Sequence, residues 1–208
     1  MKFRIWFAGA ALAACIAAPI ASNATTITGS LAAWEAAVGS YATTTSTGLP
    51  LYTNPVTEIA LDDGMQLGFA GADDTVLQPG NGWIPWTSGY TGDIIDTTSN
   101  TETISFASSL SALGLQISPD LALFGSPPET FTVTLSDGTT AAISGTYPAG
   151  STQFVGFYGG GVTSMTITAT NAPDFAFGDI VDVPEPMSMA LLLTGLAGLR
   201  VVRRRSRD

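Results

Sequence analysis

The sequence predicts an all-β domain, a jelly-roll-like antiparallel β-sandwich with one short N-terminal helix, flanked by a signal peptide and a C-terminal transmembrane helix. Two observations predict the sandwich. Apolar residues alternate with Thr and Ser, as in Thr130-Phe131-Thr132-Val133-Thr134-Leu135 and Ser164-Met165-Thr166-Ile167-Thr168-Ala169, which gives strands with one buried and one wet face. Glycine and proline (23 and 12 residues) punctuate these runs, so the strands are short and joined by loops. A third observation, apolar runs next to basic residues at both ends of the chain, predicts the flanking segments.

In chain order, Ser30 caps a helix over 31–38 and Gly39 stops it. Leu31, Trp34 and Val38 fall on one face of that helix, so Trp34 reads as a core anchor. Strands are expected at 43–47, 58–61, 65–70, 103–107, 112–117, 130–135, 141–145, 154–158, 164–170 and 175–181. Ser136-Asp137-Gly138-Thr139 carries the Asp-Gly signal of a tight hairpin.

The charge pattern excludes several classes of function. All seven bases lie near the ends, at Lys2, Arg4, Arg200, Arg203, Arg204, Arg205 and Arg207, and there is no histidine. The body, residues 25–182, carries every acid except Glu185 and Asp208, fifteen in all, and no cation. Such a body cannot neutralise phosphates, so nucleic acid is not its partner. The only cysteine is Cys15, so the body has no disulfide, no Zn-type ligand set and no Ser-His or Cys-His nucleophile.

Residues 1–24 have the form of a secretory signal peptide: basic Lys2 and Arg4, an uncharged run over 5–18, and small residues up to Ala24, after which signal peptidase is expected to cut. The apolar run is short of the roughly 20 residues a spanning helix needs. Leu12-Ala13-Ala14-Cys15 offers a rival cut, with lipidation of Cys15. At the other end, residues 183–208 place Pro184-Glu185-Pro186 before an apolar span that runs to Val202, interrupted only by Arg200. Arg203, Arg204 and Arg205 follow. The prolines keep the helix from extending backwards, and the arginines resist translocation.

This tail closely resembles the PEP-CTERM sorting signal of Gram-negative bacteria, in which the same three parts occur in the same order. The resemblance implies recognition by an exosortase, a membrane cysteine transpeptidase-like enzyme that cuts near the Pro-Glu-Pro motif. The body would be anchored transiently in the inner membrane and then pass to the cell surface or exopolysaccharide matrix. The body's order of parts is also similar to that of PEP-CTERM exported proteins, down to the closing run Phe175-Ala176-Phe177-Gly178-Asp179-Ile180. That run usually carries two acids before its Ile or Val, and here Gly178 takes the first place.

Three candidate sites remain. Asp62, Asp63, Asp73 and Asp74, with Asp93 and Asp96, sit in Gly-rich stretches and are candidate ligands of a structural Ca²⁺, although no cofactor is required. Trp83, Trp86 and Tyr90 form an aromatic loop that either stacks on carbohydrate or plugs one end of the sandwich. Paired carboxylates also permit hydrolase chemistry, but Asp96-Thr97-Thr98 lacks the glycine of an aspartic-protease motif and has no second copy. The expected function is therefore non-catalytic, in the cell envelope or matrix. A carbohydrate-binding module is the alternative, with an extracellular hydrolase behind it.

Overall fold

A computed structural model describes residues 24–120, 128–146 and 151–183. The helix is α1, Leu31–Val38. The strands are β1 Thr26–Thr28, β2 Ala42–Thr44, β3 Glu58–Ala60, β4 Gln66–Phe69, β5 Thr75–Pro79 and β6 Gly82–Trp83. They continue with β7 Ile94–Asp96, β8 Thr101–Pro119, β9 Pro128–Leu135, β10 Thr140–Thr146, β11 Gln153–Ala169 and β12 Phe175–Asp182. The protein is all-β, built on one large hydrogen-bonded sheet in which every pairing but the parallel β5–β6 contact is antiparallel.

Two long strands organise it. The first half of β8 pairs with β4 and with the end of β11, while its second half pairs with β12 and the start of β11. Register shifts after Tyr158 break the β8–β11 ladder, where Gly159 and Gly160 adopt left-handed φ of 82° and 59°. A bulge there lets a strand bend and change direction. A further register shift lies between Gly178 and Val181 in β12, with Asp179 at a φ of 47°. A Cβ on Gly178 would stand 2.9 Å from the Asp93 carbonyl oxygen. That crowding accounts for glycine at this position.

The main core fills with the alternating residues of the long strands, among them Ile104, Leu113, Leu115, Phe131, Val133, Phe157, Ile167 and Phe177. The helix forms as its sequence predicts. Ser30 Oγ accepts from the Ala33 N–H and the Gly39 N–H donates to the Glu35 carbonyl. Trp34 is its one buried residue and heads a second cluster with Ala112, Phe154 and Val181, against which Leu31 and Val38 pack. Gly114 makes room for this cluster, since a Cβ there would lie 2.4 Å from Phe154 Cζ.

Candidate functional site

Strands β7 and β8 end where β12 begins, and carboxylates stand at these strand ends. Asp96 closes β7 and pairs with Ala176 of β12. Asp120 follows β8, and its N–H donates to the Asp174 carbonyl at 3.2 Å, just before β12 begins. The sheet thus gathers three aspartates that are far apart in the chain. They line a cleft of about 470 Å³ together with Gly82, Trp83 and Ile84.

The acids influence one another there. Burial raises the Asp96 carboxyl, the Thr98 N–H opposes that, and Asp120 adds to the rise. Asp174 is pushed up to about 6, first by burial and then by Asp96 and Asp120, and its Oδ1 is enclosed without a hydrogen-bond partner. A half-buried tryptophan beside carboxylates is a surface on which a sugar ring can pack while its hydroxyls donate to the acids. Tyr52 stands beside Gly82, outside the lining of the cleft itself. It is 59% exposed, its hydroxyl donates to Asn81 Oδ1 at 3.0 Å, and its ring lies 3.4 Å from where a Gly82 Cβ would stand.

The three aromatics predicted to act together pack in one cluster, with Trp83 and Tyr90 both resting on the group that holds Trp86, but they differ in exposure. Trp86 is only 4% exposed and packs with Leu77, Ile94 and Ala176. Its ring meets that of Tyr90 at 5.4 Å. The Tyr90 hydroxyl donates to the Asp93 carbonyl at 2.9 Å, and burial above all pushes it up to about 12. Trp86 and Tyr90 therefore plug this end of the fold, and of the trio Trp83 lines the cleft. Asp120 and Asp174 were not legible as site residues, because each is a lone residue in its own stretch of sequence. The available signal was weak: Asp120 and Asp174 stand immediately outside strongly apolar strands.

The loop aspartates also part company. Asp93 is a structural acceptor for the Thr47 N–H, the Ser46 and Thr47 hydroxyls and the Gln78 amide. Burial raises its carboxyl, but these hydrogen bonds outweigh it and leave it below the usual range. Asp62 and Asp63 lie on an exposed turn near Asp182, which is itself fully buried. Burial first, and then Asp63 and Asp62, push Asp182 up to about 7. Asp73 is exposed and Asp74 fully buried, and the acids that act on Asp74 are Glu102, Asp96 and Asp73. Among the described residues, no three or more Asp, Glu, His or Cys side chains are grouped so as to hold a metal ion.

Ala24, the expected last residue of the signal peptide, lines a cavity of about 380 Å³ with Val183, Ala37, Val38, Ala112 and Tyr158. Both ends of the body thus emerge side by side. Cys15, Pro184, Glu185, Pro186, Arg203, Arg204 and Arg205 lie outside the described residues. Among those described, no helix is long and apolar enough to cross a membrane.

No protein-family model and no curated protein matches the chain. Among solved structures, the enzymatically active domain of tailspike protein 4 from bacteriophage CBA120 is similar at 11% identity and a TM-score of 0.26. The match covers 57% of this chain and 19% of the tailspike chain, so the chain spans about a fifth of that protein. A likeness of this size fixes neither fold nor activity.

Proposed function

We propose that this chain is an exported, non-catalytic protein of the cell surface or exopolysaccharide matrix, cut by signal peptidase and an exosortase, whose cleft beside Trp83 binds a glycan. Its strands are read as a jelly-roll-like sandwich, with β8 and β11 bending from one layer into the other. The glycan reading is carried by one observation: Trp83, Asp96, Asp120 and Asp174 line the same open cleft. An acidic body without bases does not suit a polyanionic ligand, so a neutral polysaccharide is the class expected. The export reading rests on the order of sequence elements, and the adjacency of Ala24 and Val183 supports it. A chain tethered first by one end and then by the other would keep the same face toward the membrane.

Titrating the protein with matrix polysaccharide from its host should change its tryptophan fluorescence in a saturable way. Trp83→Ala and Asp174→Asn should each weaken binding at least tenfold, while stability falls by less than about 1 kcal/mol, as expected of partly exposed groups. Binding that survives Trp83→Ala would remove the cleft from consideration. Release of shorter oligosaccharides during the titration would replace the binding reading with a hydrolytic one, for which Asp174, with its carboxyl near 6, is the natural acid.

A further inference from the structure

The body holds four fully buried carboxylic acids, Asp74, Glu102, Glu129 and Asp182, each no more than 1% exposed, and no basic residue to neutralise them. Burying such a group is costly unless something offsets its charge. Glu129 is offset by backbone N–H groups of Thr130, Thr170 and Asn171. Asp182 faces Asp63, with which it can share a proton. Glu102 accepts from the N–H groups of Ala70 at 2.8 Å and Gly71 at 3.3 Å. The oxygens of Asp182 and those of Asp74 are alike in being enclosed with no hydrogen-bond partner, but Asp74 has no neighbouring acid placed to share a proton as Asp63 is with Asp182.

We propose that Asp74 and Glu102 hold a divalent cation, best matched by Ca²⁺, at the Gly71 end of the β5–β8 region. Two carboxylates approach Gly71 there. Glu102 is bonded to the Gly71 N–H, and Asp74 occupies the space of the missing Gly71 side chain. A Cβ would stand 2.1 Å from its Oδ1 and 2.4 Å from its Oδ2. A cleft of about 370 Å³, lined by Gly71, Asp73, Thr97 and Glu102 among others, opens on the Glu102 side, with Asp74 enclosed behind Gly71. Calcium takes six to eight oxygens and tolerates irregular geometry, so two carboxylates can be completed by water from the cleft, whereas Mg²⁺ demands a regular octahedron. Without an ion, burial and then Glu102 push the Asp74 carboxyl up to about 7, the mark of a charge with no local compensation. This ion site is separate from the cleft beside Trp83 and does not depend on a glycan.

The test is calorimetric titration of the full chain with CaCl2, together with melting in CaCl2 and in EDTA at matched ionic strength. The wild type should show saturable binding in the range of roughly 0.1–1 mM, typical of extracellular modules, and melt several degrees higher with Ca²⁺. Asp74→Asn and Glu102→Gln should each weaken that binding tenfold or more. In EDTA, Asp74→Asn should melt no lower than the wild type, because a neutral amide replaces an uncompensated carboxylate. Either variant alone decides the matter if the other does not fold. Asp63→Asn should bind Ca²⁺ as the wild type does. Equal melting of the wild type with and without Ca²⁺, or undiminished binding by Asp74→Asn, would overturn the proposal.

Discussion

Trp34→Ala should destabilise the protein by about 3–5 kcal/mol, the usual cost of emptying a large buried aromatic site. Trp34 is completely buried, and it stands edge-to-face with Tyr41 and Phe154 at 5.5 Å and 6.0 Å. Its Nε1–H donates to the Phe157 carbonyl of β11 at 2.8 Å. Truncation therefore removes the ring that joins α1 to the sheet and also leaves an enclosed carbonyl without its donor. Trp34→Phe separates the two losses. It should recover most of the packing and retain a deficit of about 1–2 kcal/mol for the missing hydrogen bond. Urea denaturation measures both. A loss below about 1 kcal/mol for the alanine variant would show that the helix contributes little to the fold.

The second large effect is expected at Glu129. Its side chain accepts from the N–H groups of Thr130 at 3.1 Å and Asn171 at 2.9 Å, and from that of Thr170. It thereby ties the start of β9 to the turn after β11. Glu129→Ala would take the carboxylate from these donors in a partly buried place, leaving the Thr170 N–H its bond to the Thr130 carbonyl at 3.2 Å. Each donor left unpaired costs about 1–3 kcal/mol, so a total near 3–5 kcal/mol is expected. Glu129→Gln keeps an acceptor oxygen and should lose less than half as much. Equal and small losses for both variants would mean that water replaces the carboxylate at this turn.

Much of the fold can be read from the sequence where one rule dominates. The α1 boundaries follow from Ser30 and Gly39, and β9, β10 and β12 lie within a few residues of their predicted limits. The long strands could not be read as single elements. Residues 103–107 and 112–117 look separate because the serines between them resemble a loop, yet β8 runs through from Thr101 to Pro119. Its first half alternates, with one face buried, whereas residues 112–115 are buried throughout. There the Trp34 cluster covers one face and the main core the other. Periodicity weakens when both faces are covered. β11 likewise absorbs the predicted strands at 154–158 and 164–170, joined through its glycines.

Site residues follow the same logic. The aromatic loop could be read as a place but not as an orientation, because nothing in Trp83-Ile84-Pro85-Trp86 states which indole is enclosed. Leu77, Ile94 and Ala176 decide it by packing on Trp86. The adjacent pair Asp73-Asp74 suggested a shared role, but the bend that leads into β5 exposes one and buries the other. Nothing in the sequence singles out Glu102, because it lies just before the strand expected at 103–107, yet it shares the buried face of Ile104 and Phe106. Only the approach of Gly71 and Asp74 gives it a purpose.

Export and sorting bear most directly on what the protein is for, and one measurement tests them. Intact-mass analysis of the protein from the surface fraction of its native host should show a chain that begins after Ala24 and ends near residues 183–186. The apolar span and arginine cluster would both be missing. The physical reason is that Arg200, Arg203, Arg204, Arg205 and Arg207 resist translocation, so a surface-exposed body can be freed only by a cut on its side of the span. In a host without exosortase the same chain should stay membrane-bound with its tail intact. A surface-exposed native protein that still carries Pro184 to Asp208 would contradict sorting and leave a simple C-terminally anchored protein.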